Sequence, residues 1–159
     1  MPYDPDRHHR RSIRLPGHDY AGGGSYFVTI CTQGRECLFG DAIDGNVVLL
    51  PFGQIVAQEW RTSAAVRPTL RLDAFVVMPN HVHGIVTIVD ENVGAHSDAP
   101  RRGALLRAPT SGAVTRPPRT IGAFVGAFKG AVTRRINALR DTAGSPVWQR
   151  NYYEHVIRD

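Results

Sequence analysis

His81 and His83 stand one residue apart in the stretch VVMPNHVHGIVTIV, residues 76–89. The run around them is apolar and β-branched after a Pro-Asn turn signal, which reads as a strand. Side chains at i and i+2 of a strand share a face, with Cα atoms about 6.6 Å apart. Two imidazoles so placed can converge on one ion, and neutral imidazole is the commonest protein metal ligand. They can also form a hydrogen-bonded pair packed in a core. The apolar neighbours offer few partners for that, and burying polar rings without partners is costly. Other two-histidine chemistries fail on the text. A histidine-triad nucleotide hydrolase needs a third alternating histidine, where this chain has Ile85. No helical His-Glu-x-x-His is present for a zincin. A cupin needs an all-β chain, and a long helical pattern at 120–140 opposes that. Metal-dependent phosphate chemistry is what remains.

The elements around the pair follow from periodicity. Residues 1–24 are basic and rich in turn formers, and read as an extended arm. SYFVTICT (25–32) is a strand of β-branched and aromatic residues. CLFGDAIDGNVVLL reads as a hairpin turning at Asp44-Gly45. PFGQIVAQEWRTSAAV opens on Pro51 and carries Ile55, Val56, Glu59 and Trp60 at helical spacing. LRLDAFVVMP (70–79) and HVHGIVTIV (81–89) are two strands joined tightly through Pro79-Asn80. Residues 90–119 lack any period and read as a mobile loop or insertion. TIGAFVGAFKGAVTRRINALRD then lines up Ile121, Phe124, Val125, Phe128, Val132, Ile136 and Leu139 as an amphipathic helix capped by Thr120. SPVWQRNYYEHVIRD closes the chain as a strand. The order, strand-helix-strand-strand-helix-strand, is the split βαβ pattern: an α+β ferredoxin-like domain, βαββαβ, with an antiparallel sheet and two helices on one face. One domain spans 1–159.

The chain has a formal charge of +5, and arginine greatly outnumbers lysine. Arginine's planar fork suits phosphate oxygens, so the balance is compatible with nucleic acid or another anionic surface. A merely soluble basic protein fits it as well. Cys31 and Cys37 match no zinc spacing, and two ordinary thiols point to a reducing cytoplasm. No apolar run approaches membrane-spanning length.

MPNHVHG resembles the histidine-hydrophobe-histidine (HUH) motif of single-tyrosine transposases. RRSIRLPGHDY, YFVTICT, TIGAFVGAFKGAVTRRIN and VWQRNYYEHVIRD resemble the REP-associated tyrosine transposase branch of that family. Together these stretches are spread along the chain from residue 10 to residue 159, on both sides of 90–119. The resemblance implies an enzyme that cuts single-stranded DNA beside a hairpin. His81 and His83 would hold Mg²⁺ or Mn²⁺ on a scissile phosphate oxygen. A tyrosine hydroxyl would attack phosphorus, leaving a 5′-phosphotyrosine and a free 3′-OH. It also implies a cytoplasmic, nucleoid-associated protein, and leaves monomer and dimer open.

In that family the tyrosine lies on a helix after the Trp-Gln-Arg strand, with an Asn or Gln one turn on as third metal ligand. The sequence ends at Asp159, before such a helix, and so reads as truncated. Within the chain, Tyr152 and Tyr153 are the weak nucleophile candidates, either of which can instead pack on the sheet; Tyr26 reads as core. His155, beside Glu154, is a weak third-ligand candidate. Asn80 either orients His81 as a second-shell partner or simply forms the turn. His8, His9, His18 and His96 read as solvated. Arg10, Arg11 and Arg14 match the arm that the family uses near a hairpin base. Lys129, Arg134 and Arg135 could track phosphates or form a polar helix face. Three functions follow: a transposase-type DNA nickase and strand transferase, a catalytically inactive hairpin-binding domain, or a metal phosphoesterase using water.

Overall fold

The computed structural model describes residues 23–89 and 120–158. Six strands and two helices are present there: β1 (Gly24–Cys31), β2 (Gly40–Ile43), β3 (Asn46–Leu49), α1 (Pro51–Ala65), β4 (Leu70–Met78), β5 (His81–Ile88), α2 (Ile121–Leu139) and β6 (Tyr153–Ile157). A four-stranded antiparallel sheet has the order β4-β5-β1-β6. β1-α1-β4 and β5-α2-β6 are its two split crossovers, so the fold is ferredoxin-like. β2 and β3 form a separate hairpin. Its turn holds Asp44 at φ 50° and Gly45 at φ 78°, the two left-handed positions that the Asp-Gly pair tolerates.

Both helices cover one face of the large sheet. Tyr26, Val28 and Ile30 of β1 and Val82, Val86 and Ile88 of β5 point inward. They join Val56 and Trp60 of α1 and Phe124, Phe128, Val132 and Ile136 of α2 in one core. Trp60 organises it. Its ring stacks on Phe75 at 5.6 Å and meets Phe124 and Phe128 edge-on at 5.5 and 5.4 Å. That ring lies directly over β5 at Gly84, where an added Cβ would come within 2.2 Å of it. The glycine after the histidine pair is therefore the socket for the core's largest side chain.

Pro51 opens α1 as expected, and the Thr120 hydroxyl caps α2 by accepting from Ala123 N at 3.1 Å. The closing strand is shorter than its sequence suggests: only Tyr153–Ile157 pairs with β1. Val147 and Trp148 turn into the core instead. The segment before β6 is tied down by Gln33 N donating to Val147 O and Gln149 N to Cys31 O, both at 2.9 Å. Gly24, read as the end of the arm, already belongs to β1. The rest of the arm, the 90–119 segment and Asp159 lie outside the described residues. Among the described residues no helix is long and apolar enough to cross a membrane.

Candidate functional site

Strand alternation sets the site. With the even-numbered residues of β5 packed under the helices, His81, His83, Ile85 and Thr87 must face the other way. Among the described residues no helix covers that side, and the histidines are half-buried there, away from the core under the helices. β5 is a central strand. His83 is flanked by Val76 of β4 and Thr29 of β1, and His81 by Met78 and Cys31.

The two rings meet nearly at right angles, 77°, with centroids 4.5 Å apart. Their Nε2 atoms approach to 3.0 Å. Each Nδ1 has its own partner: Asn80 Oδ1 at 2.7 Å from His81 and Thr29 Oγ1 at 2.8 Å from His83. The sequence around the pair offered few partners, and the structure supplies two, one from the turn and one from the neighbouring strand. Asn80 is itself fixed, because Nδ2 donates to Arg35 O at 3.2 Å. That leaves Oδ1 facing the ring, and a carbonyl oxygen only accepts. His81 must donate from Nδ1–H, so its Nε2 carries the lone pair. His83 Nε2–H then donates to it while Nδ1 accepts from the Thr29 hydroxyl. A hydroxyl can reverse that role, which lets His83 take the other tautomer and turn a second Nε2 lone pair toward the same point. Burial, and then the neighbouring His83, lower the pKa of His81, which favours the neutral ring.

With both Nε2 lone pairs turned to one point, His81 and His83 could hold one metal ion between them. Among the described residues no group of three or more His, Cys, Asp or Glu could hold a metal. Among the described residues the histidine pair offers two bonds to such an ion.

The other candidate residues are distributed as follows. Tyr153 lies on the histidine face, opposite Thr29, which itself lies opposite His83. His155 shares that face, opposite Phe27. Tyr152 points into the helix side and donates to Glu154 Oε2 at 3.0 Å, next to α2 at Gly122. Tyr26 is fully buried. Lys129 donates to the carbonyls of Gln149 and Asn151 at 2.7 and 2.9 Å, and burial pushes its ammonium down to about 8. Arg135 bridges the helices, donating to Glu59 Oε1 and Gln58 Oε1, each at 2.7 Å. Arg134 is exposed on α2. Arg10, Arg11 and Arg14 lie outside the described residues. Cys31 and Cys37 are unpaired thiols. Thr29 is the contact that sequence reasoning missed. Only the register of β1 on β5 reveals it.

No family model matches the chain. A protein of Haemophilus influenzae whose own function is uncharacterized is 42% identical over 157 residues, covering 99% of this chain and 83% of its own length. The chain belongs to that protein's family. Two solved structures are similar in fold to this chain. One is a REP-associated tyrosine transposase bound to a REP hairpin, with TM-score 0.55 and 18% identity over 92% of this chain. The chain spans 63% of that protein's length. The other is a candidate transposase of Deinococcus radiodurans, with TM-score 0.51 and 19% identity, covering 92% of this chain and 88% of that one. These two structures share this chain's fold.

Proposed function

We propose that the chain is the DNA-processing domain of a transposase-type enzyme, binding single-stranded DNA beside a hairpin and cutting it with a divalent metal and a tyrosine. The observation that carries this is the convergence of His81 and His83 Nε2 at 3.0 Å on the sheet face away from the described helices, in a fold shared with a transposase solved on a hairpin. Mg²⁺ or Mn²⁺ bound there would neutralise charge developing on the scissile phosphate. His81 and His83 would hold it, and Asn80 and Thr29 keep both rings aimed. A tyrosine hydroxyl attacks phosphorus, forming the tyrosyl O–P bond as the P–O3′ bond breaks. The 3′ oxygen leaves as a hydroxyl, taking a proton, and the phosphotyrosine conserves the bond energy for rejoining.

Tyr153 is held in a paired strand, two strand spacings or about 10 Å from β5. In-line attack needs the hydroxyl within about 3–3.5 Å of phosphorus. The reading therefore gives the attack to a tyrosine outside the sheet, as the resemblance implies. The absence of a third ligand among the described residues favours a second reading, a hairpin-binding domain without activity. Labelled hairpin DNA with Mn²⁺ on a denaturing gel separates the possibilities. The 159-residue chain is expected to bind hairpin DNA and give little covalent adduct. A robust adduct that disappears in Tyr153→Phe would move the nucleophile into the strand, and no binding to hairpin DNA would remove both readings.

A further inference from the structure

The helix-free face carries more than the histidines. Phe27 and Tyr153 are 40% and 52% exposed there, large rings that a sheet would normally bury. Tyr153 pairs with Thr29 and Phe27 with His155, so the two rings are diagonal neighbours across β1 and β6, within reach of one another. Phe27 is also stacked on His83, with ring centroids 5.3 Å apart and planes 24° apart. Phe27 thus extends the imidazole whose Nε2 faces His81, and Tyr153 stands diagonally across from it on the same face. This face carries the guanidinium of Arg71 and the imidazoles of His81, His83 and His155, all able to donate to phosphate oxygens, with the exposed carboxylate of Asp73 beside them in the bulge of β4.

We infer that Phe27 and Tyr153 form a stacking platform for unpaired nucleobases, which seats a single strand with its phosphate over His81 and His83. This rests on the DNA-processing reading and adds to it the element that selects unpaired over paired DNA. Bases within a duplex keep their faces covered by their neighbours, and only an unstacked base offers its π-face to a flat protein ring. The platform reads no particular sequence, because every base has such a face. It leaves target choice to contacts elsewhere.

The test uses the full chain and two twelve-nucleotide probes of equal charge, oligothymidylate and its fully abasic counterpart, compared by fluorescence anisotropy at one salt concentration. The wild-type chain should bind oligothymidylate about tenfold tighter or more, the scale of one or two stacked bases. In the Phe27→Leu, Tyr153→Leu double variant, checked for native circular dichroism, that preference should fall below about threefold while abasic affinity holds. Tyr153→Phe should keep the preference, because the ring and not the hydroxyl does the stacking. Equal wild-type affinity for both probes, or a preference that survives in the double variant, overturns the platform. If hairpin binding persists in either of those cases, the DNA-processing reading stands without it. A wild-type dimer that the double variant converts to monomer with base preference unchanged would assign the patch to a second copy of the chain, and likewise overturns the inference.

Discussion

Asn80 and Thr29 each hold one ring nitrogen of the histidine pair, at 2.7 and 2.8 Å. Partners of this kind tune metal sites through the orientation and basicity of the ligands. Asn80→Ala and Thr29→Val should each weaken Mn²⁺ binding about 10- to 100-fold with little loss of stability. Calorimetric titration of the two variants checks this, and unchanged affinity would mean the rings are held by the sheet alone. Lys129 makes a second claim at this scale. Its proton is lost at about 8 in the folded chain against 10.5 for a free lysine. Between those values the unfolded chain holds a proton that the folded chain has released, so this group makes stability rise with pH from about 8 to 10.5. Below about 8 the penalty for burying the ammonium is constant. Urea melts across that window should show the rise in the wild type and a flatter profile in Lys129→Met. Parallel profiles would place the titration elsewhere. The histidines were legible because i, i+2 spacing in an apolar run has few uses. Thr29 was not, because it lies 54 residues away and only strand register joins the two.

At the scale of elements, β5 shows why the site and the core cannot be separated. Its outward residues carry the imidazoles and its inward Gly84 receives Trp60. A methyl at Gly84 would overlap the indole, and overpacking of this kind costs about 1–3 kcal/mol. Gly84→Ala should therefore lower the unfolding free energy from urea melts by that amount and also disturb the histidine spacing through a shift of the strand. Unchanged stability would mean that Trp60 can move aside freely. Helix starts, the Asp44-Gly45 turn and the tight 79–80 connection could all be read from local signals, because proline, glycine and capping residues act within one turn. The start of β6 could not. Residues 145–152 have strand-like composition, yet Trp148 is drawn into the core and Lys129 binds the carbonyls on either side of Arg150. Those are tertiary contacts that override local propensity.

Over the whole molecule, the strand order β4-β5-β1-β6 places two central strands under both helices, and no described element packs on the opposite face. Topology was legible because alternating strand and helix periods in this order have few unknotted solutions. That both described helices pack on the same face, away from the histidines, was not, since the same alternation serves a sheet covered on both sides. With a formal charge of +5 spread over an arginine-rich chain, hairpin binding should fall steeply with salt as phosphate contacts release counterions. A flat response, or tighter binding to plain duplex, would contradict a phosphate-tracking surface. The proposed site is one divalent cation held between His81 and His83. Its most direct measurement is Mn²⁺ titration, followed by electron paramagnetic resonance, of the wild-type chain and of the His81→Ala, His83→Ala variant, each with hairpin DNA present. One bound Mn²⁺ in the wild type, lost in the variant with DNA affinity largely kept, is the expected result; equal Mn²⁺ binding by the two proteins would contradict it.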